Sequence, residues 1–283
     1  MTDFGGAIRR SEEFDIALLG IPYDAKSSYL RGAAQGPAAI RAASTSLAIN
    51  EFTEKAINLE LDAIMVDLGD VDVSGEYAQL AAKVENAVGR ILDKEAVPII
   101  LGGDHSVTYP VVCALARRYR ALDILHFDSH PDLYDELYGD PHSHACSFAR
   151  IMEQGLARTL VQVGIRAASA PQRANALKYG VRMMEMVDLT GIPNLAFDNP
   201  LYISFDLDAL DPAFAPGVSH HEAGGLSSRQ ALDIIHRLKA NIIGLDVVEL
   251  NPTRDPLGIT AAAAVKIVKE TAAEVVLGRR SKK

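Results

Sequence analysis

Eight short, almost wholly apolar runs divide the chain, and stretches with helical periodicity lie between most of them. The runs are Phe14 to Pro22, Ala63 to Asp70, Val97 to Leu101, Leu122 to Phe127, Leu160 to Ile165, Val181 to Met186, Leu201 to Phe205 and Ile242 to Val247. A strand that is apolar on both faces has to be covered on both faces, and parallel strands need long crossovers of the kind helices supply. The pattern predicts an α/β fold with a parallel sheet between helical layers. Pro37 sits where a helix would begin. Ser74 and Glu76 open a helical stretch to about Lys94, whose apolar residues Leu80, Ala81, Val84, Ala87, Val88 and Leu92 keep a period near 3.6. Further helices are expected over Tyr109 to Arg120, His144 to Gln154, Pro171 to Tyr179, Ser227 to Lys239 and Ile259 to Val276.

With 283 residues and 48% hydrophobic content, the chain is long enough to bury a large core. No internal repeat, low-complexity tract or linker divides it, so residues 1–283 are expected to form a single domain. No apolar run reaches the length of a membrane span and no export signal is visible, so no membrane partner and a cytosolic location are expected. Cys113 and Cys146 are too few and too far apart for a disulfide framework or a thiolate zinc site, so any metal must use imidazole and carboxylate. The net charge of −9, without a basic block or Trp, argues against nucleic acid and suits a cationic small molecule.

Ligands of open parallel sheets sit at the carboxyl ends of the strands, and three of these strands end in acids and imidazoles. The third run ends in Gly102-Gly103-Asp104-His105-Ser106, the fourth in Asp128-Ser129-His130-Pro131-Asp132, and the seventh in Asp206-Leu207-Asp208-Ala209-Leu210-Asp211-Pro212. In an extended segment, Asp128, His130 and Asp132 share one face, and Pro131 keeps that segment from turning helical. Converging carboxylates repel one another unless a cation joins them. His105, Asp128, His130, Asp132, Asp206 and Asp208 offer two imidazoles and four carboxylates, whose charge two divalent cations balance. Such ligation suits Mn²⁺, while Zn²⁺, Co²⁺ or Ni²⁺ would also fit by affinity. Two such cations would lower the pKa of a water held between them and yield hydroxide near neutral pH.

Those three segments, the last taken from Ser204 to Pro212, with Asp246-Val247-Val248-Glu249-Leu250-Asn251-Pro252 after them, carry a resemblance to the ureohydrolase family, the arginases and agmatinases, over nearly the whole chain. Ser143 to Glu153, Ala215 to Glu222 and Ser27 to Gly32 are most similar to the plant-type arginase branch. The resemblance implies a three-layer α/β/α domain on an eight-stranded parallel sheet, two Mn²⁺ per chain, and assembly as a homo-oligomer, a trimer or hexamer. It implies that Asp128 and Asp206 bridge the metals, that His105 and Asp132 complete one ligand set and that His130 and Asp208 complete the other. Asp132 would also accept a hydrogen bond from the bridging hydroxide.

Guanidinium is a resonance-stabilised cation, so its hydrolysis needs a strong nucleophile, a held substrate and a proton for the departing amine. The implied nucleophile is the metal-bridged hydroxide. Glu249, just past a strand, can grip the guanidinium through paired charge-assisted hydrogen bonds. His144 matches the family position that hands a proton to the leaving group. The resemblance favours L-arginine, giving L-ornithine and urea; agmatine, giving putrescine, and guanidinobutyrate are the alternatives, as is a catalytically silent binding or regulatory member. Two-metal phosphoesterases and single-metal deacetylases lack their other signatures here. His126 and Asp104 are expected to support the ligands, Asp211 to form a turn, Cys146 to be inert, and His142, His220 and His221 to line the cleft rim. Against the family pattern, His142 replaces an aromatic residue and Ala223 a proline. Arg166-Ala167-Ala168-Ser169-Ala170 also lacks the acid that animal-type arginases use for the substrate α-amino group.

Overall fold

All eight expected strands form, and in the computed structural model, which describes residues 4–46 and 49–280, every pairing between them is parallel. They are β1 (Ile16–Ile21), β2 (Met65–Asp70), β3 (Val97–Gly102), β4 (Asp123–Phe127), β5 (Thr159–Ile165), β6 (Arg182–Glu185), β7 (Ala196–Asp206) and β8 (Lys239–Val248), in the spatial order β2-β1-β3-β8-β7-β4-β5-β6. The α-helices are α1 (Gly36–Ser44), α2 (Leu59–Asp62), α3 (Tyr77–Asp93), α4 (Thr108–Arg118), α5 (Ser147–Glu153), α6 (Ala170–Tyr179), α7 (Ser228–Arg237) and α8 (Ile259–Arg280). Among the described residues no helix is long and apolar enough to cross a membrane.

The apolar runs read as they do because each strand is buried on both sides. In β1, Ile16 and Leu18 join the cluster that contains Ile40 of α1, Leu232 of α7 and Val265 and Val268 of α8. Ala17, Leu19 and Ile21 join the opposite cluster, with Leu80 and Val84 of α3 and Val111 and Leu115 of α4. The result is three layers, helix on sheet on helix.

Differences from the expected boundaries have local causes. β7 extends back to Ala196 through Asn199 and Pro200, residues that argue against a strand. Its pairing with β4 begins only at Leu201, so the missing Pro200 N–H costs no hydrogen bond on that side. The stretch after Ser143 opens with a 3₁₀ turn, His144–Cys146, before α5 begins. The short α2, which the apolar pattern did not announce, is held by Asn58, whose side chain accepts from the N–H groups of Glu60 and Leu61.

Gly103, at the end of β3, lies against the loop that follows β1. A Cβ there would fall 1.9 Å from the Tyr23 carbonyl oxygen. The Gly103 carbonyl accepts from Glu249 N at 2.8 Å, and Asp104 N donates to Tyr23 O at 2.8 Å, so neither side can yield cheaply. Gly103→Ala is expected to lower stability by about 1 to 3 kcal/mol, read as an earlier chemical-denaturation midpoint at unchanged slope; an unshifted midpoint would show that the loop moves freely.

Candidate metal centre and its pocket

β3, β8, β7 and β4 are consecutive in the sheet, and the acids and imidazoles project from their four carboxyl ends. Register aligns them: Phe127 pairs with Phe205, Phe205 with Val247, and Leu101 with Val247. Asp128, Asp206, Glu249 and the Gly102–His105 loop therefore leave the sheet at nearly one level. Three of these segments then turn on an acid that accepts the N–H two residues on: Asp104 from Ser106 at 3.1 Å, Asp128 from His130 at 2.6 Å and Asp206 from Asp208 at 2.7 Å. The turn bends the backbone and aims the second side chain back over the strand ends. Asp132 (φ 51°) and Glu249 (φ 65°) lie in the left-handed region, where side chains other than Gly are held only by strong surrounding restraints.

All six residues expected as ligands meet here. His105 Nδ1 is 3.1 Å from Asp128, 3.2 Å from Asp132 and 3.3 Å from Asp206, and His130 Nδ1 is 3.1 Å from Asp208 and 3.4 Å from Asp128. Two sets of donors overlap at Asp128: one holds His105, His126, Asp128 and Asp132, the other Asp128, His130 and Asp208. Burial would lower both imidazole pKa values, but the surrounding acids raise those of His105 and His130. Burial and the neighbouring Asp208 and Asp128 push Asp206 up, and burial with Asp128 pushes Asp132 up. Burial and mutual repulsion thus disfavour full ionisation of Asp132 and Asp206. His105 Nδ1 is buried without a hydrogen-bond partner, aimed at three carboxylates, and no thiolate is near; this donor set fits a hard or borderline divalent cation.

His126 stays in a supporting place, as expected. It stacks on Phe148 with centroids 3.8 Å apart, and its Nε2 meets Asp128 at 2.8 Å. Asp104 also supports: burial and Glu249 push it up to about 6, and it accepts from Lys26 N.

Beside this donor set opens a cavity of about 220 Å³ lined by His130, Asp132, Asp206, Asp208, His144 and Glu249, with Ser28, Tyr134, Leu137, Ala167, Gln172 and His220 further round. A larger groove of about 530 Å³ between β2 and α3 has no such convergence of acids and imidazoles. His144 Nδ1 lies 3.0 Å from Glu249 Oε1, and its Nε2 lies 2.9 Å from Ser28 Oγ. Burial alone would lower the His144 pKa, but the hydrogen bond and charge of Glu249, with Asp132 and Asp104 behind, push it up to about 9. The Ser28 N–H, 3.2 Å from Nε2, favours an acceptor there, yet one long contact is outweighed by a buried carboxylate.

The remaining histidines separate. His220 reaches the cavity, its ring 5.4 Å from that of His144 and 5.6 Å from that of His130. His142 packs between Tyr77 and Tyr109, an aromatic role for an unusual residue, and His221 is exposed, bonding Pro216 O. Asp211 forms a turn, accepting from Ala213, Gly224 and Gly225. Burial pushes the Cys146 thiol up to about 12, which leaves it inert. Arg166, which the sequence reading noted only as part of a segment lacking an acid, donates to the carbonyls of Gly164, Asp208, Ala209, Leu210 and Glu222. A charged residue directly after a mostly apolar strand was the available signal.

A parallel α/β/α sheet with an acid-and-imidazole metal centre at its carboxyl edge, next to a carboxylate and an imidazole paired in a polar pocket, defines a class of metal-dependent hydrolases. The chain belongs to the arginase family: the family's sequence model matches residues 14–273. It is a ureohydrolase. Arginase 1, mitochondrial, from Arabidopsis thaliana is 44% identical over 275 residues, covering 92% of this chain and 80% of that protein. The human guanidino acid hydrolase, mitochondrial, is 37% identical, covering 92% of this chain and 78% of its own length. The solved arginase from Medicago truncatula superposes with a TM-score of 0.88 at 41% identity, covering 92% of this chain and 87% of that one.

These names also correct one expectation. The cytosolic location rested on the absence of membrane and export segments, and such an absence does not fix a compartment. Both sequence relatives are named mitochondrial, which points away from the cytosol.

The Glu249–His144 pair raises the folded-state pKa of His144 above its ordinary 6.5, so its stabilisation is complete below that value and fades as pH rises through about 9. In the metal-free protein, His144 is expected to titrate near 9 by NMR and to titrate lower in Glu249→Gln. The stability gap between the two proteins should narrow from pH 6 to pH 10; a constant gap would show that the pair is not charged.

Proposed function

We propose that this chain is an arginase, hydrolysing L-arginine to L-ornithine and urea at a pair of Mn²⁺ ions. The single observation that carries the reading is the pairing of Glu249 and His144 beside the six-residue donor set, in a cavity of substrate size. The plant arginases among its relatives supply the substrate. His105, Asp128, His130, Asp132, Asp206 and Asp208 would hold the two cations. When bound, the cations supply a water made acidic enough to attack near neutral pH. Glu249 grips the guanidinium through charge-assisted hydrogen bonds. Asp132, which lines the pocket, would accept a hydrogen bond there, and His144 holds the proton that the departing amine requires. Ser28, on the far side of His144, keeps that ring facing the pocket.

A second reading has its own support. The wall formed by Ser28, Tyr134, Ala167, Gln172 and His220 carries no carboxylate that would pair with an α-ammonium group. Agmatine or guanidinobutyrate, which lack that group, remain the alternative substrates. With either substrate, we propose a single domain over residues 1–283 that assembles as a homo-oligomer, a trimer or hexamer.

Elemental analysis of the Mn²⁺-reconstituted protein should find two metals per chain, with activity lost on chelation; one metal, or full activity without metal, overturns the two-metal reading. Urea release from L-arginine should exceed that from agmatine, guanidinobutyrate and guanidinopropionate by a large factor in kcat/KM, because a site that binds polar groups penalises analogues lacking them. A tenfold preference for agmatine would make the enzyme an agmatinase, and no urea from any of the four would end the ureohydrolase mechanism. His144→Ala should keep its metals and lose roughly 10²- to 10⁴-fold in kcat; near-normal turnover removes His144 from proton transfer.

A further inference from the structure

Two polar side chains interrupt the otherwise apolar interior of β7 and β8. Ser204 and Asp246 are register partners, and both are fully buried. Asp246 Oδ1 accepts from Ser204 Oγ at 2.7 Å and Phe205 N at 3.3 Å, and its Oδ2 accepts from Thr108 Oγ1 at 2.7 Å and Tyr202 OH at 2.6 Å. Four donors converge on two oxygens, so the carboxylate is an acceptor at both. A serine hydroxyl has one hydrogen, and Ser204 gives it to Asp246. Toward His105 Nε2, 2.9 Å away, Ser204 can therefore present only a lone pair. Nε2 must carry the proton, and in the neutral imidazole the lone pair then sits on Nδ1, the atom that faces Asp128, Asp132 and Asp206.

We infer that Ser204 and Asp246 are positioning residues that set the tautomer of His105, so that Nδ1 is available to a divalent cation. The inference rests on the metal-dependent reading above. The same arithmetic gives the opposite result one residue cluster away. Gln162 Nε2 donates to Pro131 O at 2.7 Å, which fixes the amide's orientation, and its other hydrogen points at His126 Nδ1, 2.9 Å away. His126 must then carry its proton on Nε2, directed at Asp128. Both nitrogens of His126 are committed, whereas Nδ1 of His105 has no hydrogen-bond partner. Of two adjacent buried imidazoles, the outlying hydrogen bonds make one a ligand and the other a support for a ligand. Ring contacts with Phe148 at 5.3 Å and His126 at 5.0 Å hold the plane of His105.

Calorimetric titration of the metal-free chain with Mn²⁺ tests this. Wild type should bind two ions, and Ser204→Ala should bind one of them roughly 10- to 100-fold more weakly while keeping the wild-type circular dichroism. A tautomer-sensitive ¹H–¹⁵N correlation on the histidine-labelled, Zn²⁺-loaded wild type provides a readout independent of any variant's folding. His105 should show a protonated Nε2 and a metal-bound Nδ1. Equal Mn²⁺ affinity in Ser204→Ala, or a His105 protonated on Nδ1, overturns the assignment and leaves the ureohydrolase reading standing. Wild type that takes up no Mn²⁺ overturns both.

Discussion

Four carboxylates, those of Asp128, Asp132, Asp206 and Asp208, are held together at the edge of one sheet, and their mutual repulsion is what the surrounding structure has to restrain. Isolated, such a group would spread apart or take up protons. Here the backbone forbids spreading. Two of the acids accept N–H groups from their own turns, parallel register fixes the level at which each leaves the sheet, and Ser129 N donates to Asp208 at 3.0 Å. The remaining freedom is chemical, so protons or cations must balance the charge. The opposed directions of the site's pKa values follow, with imidazoles and some acids pushed up while His126 and its neighbours hold Asp128 down against the effect of burial.

The rest of the molecule can be understood as support for that edge. Helices on both faces keep water from the strands, so the ends that carry the acids and imidazoles are anchored in two apolar clusters. Left-handed backbone at Asp132 and Glu249 is tolerated because flanking hydrogen bonds leave little alternative: Phe148 N donates to Asp132 O, and Glu249 N to Gly103 O. Several groups that line the pocket are placed on loops instead, where Ser28, Tyr134 and His220 come from three separate segments.

Much of this was legible in the sequence because a doubly covered strand has a simple signature, a short apolar run, and a ligand-bearing strand end has another, alternating acids and imidazoles. Those two signatures located all eight strands and brought His105, Asp128, His130, Asp132, Asp206 and Asp208 to one place. What was not legible depended on tertiary partners. The run expected from Leu201 in fact extends back through Pro200 to Ala196, a strand stretch paired on one side only. His142 looked like a rim residue, yet it fills an aromatic gap between Tyr77 and Tyr109, residues from two different helices. Ser204 and Asp246 stood inside the segments that carried the resemblance, but without a role, since their meaning lies in which hydrogen goes to which atom.

Arg166 grips its neighbours through carbonyl oxygens alone, five of them, on three stretches of chain. Every amino acid carries that oxygen, so the clamp does not depend on which side chains those stretches display. The wall next to Asp208 is thereby freed to vary in composition without loosening the turn that holds the acid. Side chains on that wall could be exchanged while its backbone stays where it is.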